Sequence, residues 1–147
     1  MKTIVSKIVK TEVPTNLEIE GATLLSVDEA RVLPFRLRQH DNWWWLRSPG
    51  KDSDYTISVS SGGYDDTSYV YCDCISARPA LIIRNFESSN FEIGDIFKFD
   101  GKKFEIISKD LAFCLGDIGL HRFDDNSNNY EKSAIKKYVD EWFERII

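Results

Sequence analysis

The stretch NWWWLRSPG, residues 42–50, places three of the four tryptophans of the chain side by side and then stops abruptly. Its aromatic content predicts a β-strand. Alternation along a strand puts Trp43 and Trp45 on one face and Trp44 and Leu46 on the other. Large apolar groups on both faces indicate a central, covered strand, so core packing is the expected role of the tryptophans; a ligand-stacking platform is the alternative. The Ser-Pro-Gly sequence ends the strand.

The composition of the chain indicates one globular domain and excludes several classes of protein. The 147 residues carry a net charge of −5 and contain no block rich in Lys and Arg, so direct binding to nucleic acid is not expected. The sequence offers neither an apolar run of the ~20 residues that span a bilayer nor a signal peptide, because charges interrupt MKTIVSKIVKTEVP (1–14). The odd cysteine count and the close pair Cys72 and Cys74 indicate reduced thiols, and hence a cytoplasmic location.

Other segments predict strands by alternation or by continuous apolar content. Residues 95–107, DIFKFDGKKFEII, predict a β-hairpin with Asp100-Gly101 as its turn. GGYDDT (62–67) is expected to connect two neighbouring strands. The further predicted strands are TIVSKIVKTEV (3–13), GATLLS (21–26), YTISVSS (55–61), SYVYCDC (68–74), ARPALIIR (77–84, a central strand) and LAFCL (111–115).

Two helices are predicted. Ser26 and Glu29 have the spacing of a capping box, so a short helix is expected to begin there and to end at Pro34. A long amphipathic helix is predicted over residues 129–147, with Asn128 as its N-cap. Its apolar stripe comprises Tyr130, Ala134, Ile135, Tyr138, Val139, Trp142, Phe143 and Ile146. The fold class is therefore α+β, a mostly antiparallel sheet of short strands with one short and one long helix.

Two separated motifs carry a family resemblance. WWWLRSPG (43–50) and ARPALII (77–83) resemble the W-L-R-S-P-G … V-R-P-A-L signature of a family of uncharacterised bacterial and phage domains. LLSVDEA (24–30) is similar to that family's L-L-S-x-x-E-A segment. IGDIFKFDGKKFEII (93–107) and YEKSAIKKYVDEWF (130–143) look like its opening hairpin and its helix. The resemblance implies a C-type-lectin-like fold, of the group that includes formylglycine-generating-enzyme-like domains.

The order of these motifs is reversed, because the hairpin and the helix precede the W-L-R-S-P-G strand in the family. The reversal implies a circularly permuted domain or an exchange of halves between chains. We expect one domain over residues 1–147, in which the half 94–147 packs onto the half 1–84 and Trp142 is covered by the sheet. Packing within one chain is favoured. Monomer and homodimer both stay open.

Arg47 and Arg78 belong to the matched motifs, and each is followed by a proline within two residues. Both are expected to lie in central strands, where a buried guanidinium needs carbonyl or carboxylate acceptors. We predict a structural role for both arginines, with anion binding as the alternative.

Few residues of the sequence indicate catalysis or metal binding. His40 and Asp41 could form an acid–base pair, which is the basis of an alternative prediction of an enzyme. Cys72 and Cys74 are expected on one face of a strand, where Cys114 could join them, but a structural zinc site needs a fourth ligand. No metal and no cofactor are therefore expected.

The segment with the most residues suited to binding is 51–73. It is rich in Tyr, Ser, Gly and Asp, a composition typical of adaptable binding surfaces. A solvated hairpin is the alternative. The predicted ligand-binding residues are Tyr55, Tyr64, Asp65, Asp66, Tyr69 and Tyr71. The expected function is a non-catalytic binding module of bacterial or prophage origin with a protein partner, a glycan being the alternative ligand. A second hypothesis is a small acidic phage-type inhibitor that blocks a host defence protein.

Overall fold

The computed structural model describes residues 2–3 and 17–146, and it shows a mixed α+β fold with mostly antiparallel strands. Except for Thr3, the strand predicted over 3–13 lies outside the described residues. The strands are β1 (Lys2–Thr3), β2 (Glu18–Thr23), β3 (Trp44–Pro49), β4 (Tyr55–Val59), β5 (Asp65–Tyr69), β6 (Ala80–Ile83), β7 (Ile96–Phe99), β8 (Lys102–Ile106) and β9 (Leu111–Cys114). The helices are α1 (Val27–Arg31), α2 (Phe35–Arg38) and α3 (Ala134–Ile146).

The larger sheet has six strands in the order β1-β2-β6-β9-β8-β7, with every pair antiparallel. It combines β2 and β6 of the first half of the chain with β7, β8 and β9 of the second half. β6 lies between β2 and β9, which confirms the predicted central strand. The β7–β8 hairpin is also confirmed: Asp100 and Gly101 both have positive φ, 56° and 72°, the turn geometry that favours Asp-Gly.

Helix α3 covers one face of this sheet. Ile135, Val139, Trp142 and Phe143 are buried, which confirms that the predicted apolar stripe faces the interior. Phe143 stacks on Phe99 with ring centroids 6.0 Å apart, and the indole nitrogen of Trp142 donates to Asp100 Oδ2 at 3.1 Å.

The N-terminus of α3 differs from the prediction. The helix begins at Ala134, and residues 130–132 form a turn of 3₁₀ helix that Asn129 caps. Asn128 is not a cap, because its side-chain amide donates instead to the carbonyls of residues 50, 52 and 55. The first turn of α3 is capped by Ser133, whose Oγ accepts from Lys136 N at 3.1 Å.

The smaller sheet has three strands in the order β3-β4-β5. Trp44 and Leu46 pack with Phe113 on one side of β3, whereas Trp45 packs with Phe123 on the other side, which confirms the predicted alternation. The prediction of a central strand is wrong, since β3 is an edge of its sheet. Its outer edge is partly covered by Ser76, whose backbone N–H donates to Trp43 O and whose carbonyl accepts from Trp45 N.

Strand β5 lies earlier than predicted, at 65–69 instead of 68–74. The turn between β4 and β5 sets this register, because Ser60 N donates to Tyr64 O at 2.8 Å and Gly63 adopts a φ of +96°. The chain then leaves the sheet at Val70, where Val70 N donates to Asp54 O. Residues 70–71 form a turn and residues 73–74 a bend, so Cys72 and Cys74 lie outside the strand and the prediction of two thiols on one strand face is wrong.

The first helical region contains two short helices rather than one. The predicted capping box is confirmed: Ser26 Oγ accepts from Glu29 N, and Glu29 Oε1 accepts from Ser26 N. Helix α1 ends at Arg31, before the predicted stop. Pro34 then starts α2, because its fixed φ of −55° leads into a helix and its missing N–H is not needed there.

Candidate functional site

Arg78 and Asp95 are the most buried charged residues among those described, each at 1% exposure. Arg78 precedes β6 by two residues and so does not lie within the strand. The Arg78 guanidinium donates to carbonyls of α2, of the last residue of β9 and of the segment after β9, those of Leu37 (2.9 Å), Cys114 (3.1 Å) and Gly116 (3.1 Å). It also lies against the rings of Trp44 and Phe113, at 4.7 and 4.3 Å from their centroids. Burial lowers the pKa of Arg78 to about 10, so it keeps its charge at neutral pH.

Arg47 is closer to the surface than predicted, with about a third of its side chain exposed. The register of β3 against β4 shifts between Trp45 and Pro49, so the strand is irregular where Arg47 lies. Its Nη1 donates to Leu24 O and to Glu29 Oε1, both at 2.7 Å. Arg47 thus ties β3 to the N-terminal turn of α1.

Three of the predicted ligand-binding residues come together. Tyr55 and Tyr69 are cross-strand partners on β4 and β5, and their rings stack with centroids 4.6 Å apart. Tyr71 stacks on Tyr69 at 5.1 Å. Tyr69 and Tyr71 belong to the exposed large apolar residues. We name Tyr55, Tyr69 and Tyr71 the tyrosine stack.

The hydroxyl groups of Tyr55 and Tyr71 remain protonated at neutral pH. A hydrogen bond with Tyr69, together with desolvation and nearby negative charge, raises the pKa of Tyr55 to about 12. Partial desolvation and the negative charge of Asp54 raise the pKa of Tyr71. The stack therefore presents ring edges and hydroxyl donors beside the Asp54 carboxylate. A side cavity of about 390 Å³ adjoins it, lined in part by Trp43, Tyr69, Cys72 and Cys74.

The other three predicted ligand-binding residues do not join the tyrosine stack. Tyr64 lies at the turn between β4 and β5, where its ring meets that of Phe35 edge-on at 5.3 Å. Asp65 pairs with Arg31 at 2.6 Å. Asp66 is exposed, and its Oδ1 accepts from Thr67 N. The predicted binding surface thus separates into the tyrosine stack and a second patch near α1 and α2.

The His40–Asp41 pair, on which the alternative prediction of an enzyme was based, does not form. His40 Nε2 lies 2.8 Å from Asp117 Oδ2, because the segment after β9 passes beside it, whereas Asp41 is exposed. Ser76 Oγ donates to the same carboxylate oxygen at 3.1 Å. In a hydrolytic triad the serine must donate to the imidazole, so this arrangement does not activate the hydroxyl.

The three cysteines differ in their burial and surroundings. Cys114 is buried on β9, and burial raises its pKa to about 11. Cys72 is half-buried and Cys74 is exposed, and both line the side cavity. Within residues 2–3 and 17–146, no group of three or more His, Cys, Asp or Glu side chains is placed to hold a metal ion.

A cavity of about 600 Å³, which we name the apolar cleft, was not predicted. It lies between the α1–α2 segment and the face of the larger sheet opposite α3. Sequence patterns miss it because its walls come from five segments that are separate in the sequence, 23–37, 47, 82, 93 and 105–111. Its lining includes Val32, Leu33, Ile93, Glu105, Ile107 and Leu111.

Two carboxylates make the stability of the fold sensitive to acid. Burial raises the pKa of Glu29, but hydrogen bonds from Arg47 and Ser26 outweigh it and leave that pKa lowered. Burial likewise opposes hydrogen bonds from His40, Gly119 and Ser76, which leave the pKa of Asp117 lowered.

We therefore expect the free energy of unfolding to fall as the pH drops below 4.5, the ordinary value for glutamate. A carboxylate whose pKa is lower in the folded state contributes stability above its unfolded pKa, and protonation removes it. Urea denaturation at pH 7 and pH 4 measures the loss, and Glu29→Gln should reduce it. An equal loss in the variant would exclude Glu29 as a source.

None of the described helices is both long enough and apolar enough to cross a membrane. Comparison with known proteins identified no relatives, since no family model and no curated protein matches the sequence and no solved structure matches the fold.

Proposed function

We propose that this chain is a non-catalytic binding module that captures a protein partner through the tyrosine stack. The observation that carries the proposal is the stack itself: three tyrosines, two of them exposed, are ordered beside a cavity. Tyrosines supply large contact area at a low cost in side-chain entropy, and they are frequent hot-spot residues of protein interfaces. Stacking further reduces that cost because it holds the rings in place before a partner binds.

A protein is a better ligand for this surface than a glycan. Tyr69 is the middle ring and stacks on both neighbours, so its faces are engaged within the stack. What this middle ring offers a ligand is its edge and its hydroxyl donor. Sugars pack on open aromatic faces, whereas backbone carbonyls and carboxylates of a protein accept hydrogen bonds from tyrosine hydroxyls.

We also propose that the chain has the C-type-lectin-like fold, that it comes from a bacterium or a prophage, and that it acts in the cytoplasm. The segments that resemble the C-type-lectin-like family occur here in reversed order, and strands from both halves share the six-stranded sheet. Both ends of the described chain meet at β2, since β1 pairs with it and α3 packs against it. Termini that lie close together are what a circular permutation requires. The acidic inhibitor is the second candidate, and the net charge of −5 favours it.

We expect Tyr69→Ala and Tyr71→Ala each to weaken partner binding by about 30-fold, because truncating an interface hot spot costs about 2 kcal/mol or more. The partner is first captured from bacterial lysate on the immobilised chain and identified by mass spectrometry. Its affinity for each variant is then measured by calorimetry. Tyr64→Ala is the matched control, since that ring is exposed but lies outside the stack.

Melting temperatures identify variants that fail by unfolding. Capture that survives both stack substitutions, with folded protein, would contradict the proposal. A glycan array probed with the same variants tests the alternative ligand, and binding there that depends on Tyr69 would replace the protein partner with a sugar.

A further inference from the structure

The apolar cleft lies away from the tyrosine stack and shares no lining residue with the side cavity. Its floor is the face of the larger sheet that carries Ile82 and Leu111, and Leu33 and Leu37 of the α1–α2 segment form its opposite wall. Its volume of about 600 Å³ falls within the range of small-molecule sites, ~300–1,000 Å³.

The mouth of the cleft exposes aliphatic side chains to solvent. Val32 is 83% exposed and Ile93 is 54% exposed, and both line the cleft. A ligand that covers this exposed aliphatic surface removes it from water, which contributes about 25 cal/mol of binding free energy per Å² of apolar surface buried. The cleft therefore favours a ligand with a hydrocarbon body.

Glu105 determines which kind of polar group the apolar cleft favours in a ligand. This carboxylate lines the cleft and is only 4% exposed. Arg36, which is largely exposed, donates one hydrogen bond to each carboxylate oxygen, at 2.9 and 2.7 Å. A carboxylate has about four acceptor positions, so about two remain for a further donor.

The charges that line the cleft exclude anions. Glu29 and Arg47 form an ion pair and offset each other, as do Glu105 and Arg36. Asp110 adds a further negative charge to the lining. An anionic ligand would meet the Asp110 carboxylate, and the described lining residues offer it no cation outside the ion pairs, whereas a cationic ligand is attracted.

We infer that the apolar cleft binds a small organic cation, a primary ammonium on a hydrocarbon body. The ammonium group donates to the open acceptor positions of Glu105, and Arg36 stays in place. The hydrocarbon body contacts Leu33, Ile107 and Leu111. This site is independent of the protein-binding surface proposed above.

Three probes that share a phenylbutyl body and differ in charge test the inference: 4-phenylbutylamine, 4-phenylbutanol and 5-phenylpentanoate. They are titrated into methyl-labelled protein, and the Leu33, Ile107 and Leu111 methyl signals report binding at the cleft. We expect the amine to bind about tenfold more tightly than the alcohol, as a hydrogen bond to a charged group in a partly buried site implies, and the carboxylate to bind most weakly.

Two substitutions isolate Glu105. Glu105→Gln keeps the shape and should bring the affinity of the amine down to that of the alcohol. Arg36→Gln removes an exposed partner and should raise the affinity of the amine. Glu144→Gln, on the exposed side of α3, is the control and should change neither. The inference is overturned if no probe shifts those methyl signals, if the carboxylate binds best, or if folded Glu105→Gln keeps the preference for the amine.

Discussion

Replacing Arg78 by alanine is expected to lower the free energy of unfolding by about 3–5 kcal/mol, a large fraction of the stability of a small domain. The substitution leaves the carbonyls of Leu37, Cys114 and Gly116 without their donor in a buried site. It also opens a void between Trp44 and Phe113, whose rings lie on the guanidinium. Urea denaturation followed by tryptophan fluorescence measures the loss.

Two further substitutions at position 78 separate the effect of the lost hydrogen bonds from the effect of the void. Arg78→Met restores most of the volume without the donors, and Arg78→Lys keeps the charge without the planar fork. Both should be less stable than the natural chain and more stable than Arg78→Ala. Arg47→Met is the matched control, because Arg47 is partly exposed, and it should cost about 1 kcal/mol or less. A stable Arg78→Met variant would mean that packing alone explains the arginine.

The second large effect is expected at the tryptophans. Trp44→Ala and Trp45→Ala should each cost about 3–5 kcal/mol, because truncating a buried aromatic leaves a cavity in the core. Both indoles are fully buried and donate to carbonyls, Trp44 to Arg38 O at 2.9 Å and Trp45 to His121 O at 2.7 Å. Thermal unfolding followed by circular dichroism measures the change.

Trp43→Ala is the internal control for that series, since Trp43 is only half-buried and lines the side cavity. It should cost clearly less stability than its neighbours. Partner binding, once established, is measured on all three variants. A Trp44→Ala or Trp45→Ala protein that melts normally but has lost its partner would show that these tryptophans form a binding platform and not a core.

The parts of the fold that follow from local chemistry were predictable. The Asp100-Gly101 turn and the capping box of Ser26 and Glu29 depend on neighbouring residues, and both occur as predicted. The alternation of Trp44 and Trp45 follows from the geometry of a strand and is also correct. In each case the deciding atoms lie within a few residues of each other.

The errors fall where distant segments decide the local structure. Asn128 was predicted to cap a helix, but the loop at 50–55 offers its side chain several carbonyls. The alternative prediction paired His40 with Asp41, its neighbour in sequence, whereas the carboxylate partner of His40 is Asp117, 77 residues away. A single sequence shows no sign of such contacts.

The candidate site was predicted in composition but not in geometry. Tyr55, Tyr69 and Tyr71 were named from a segment rich in binding residues, and the register of β4 and β5 determines which of them stack. Tyr64 was included for the same reason, yet the turn carries it to Phe35. The apolar cleft could not be predicted, because Glu105 and Arg36 are 69 residues apart.

The positions of the Arg78 acceptors in the sequence also determine when, during synthesis of the chain, the contacts of this arginine can form. Cys114, one of these acceptors, is 36 residues further along the chain, so at about 5–20 residues per second the ribosome adds it roughly 2–7 s after the arginine. During that interval the arginine stays hydrated, and β6 still lacks the strand that will occupy its second edge. The contacts of the buried guanidinium and the pairing of the second edge of β6 can therefore be completed only after β9 has been made, so the half of the fold that contains the three adjacent tryptophans depends on residues that are synthesised later.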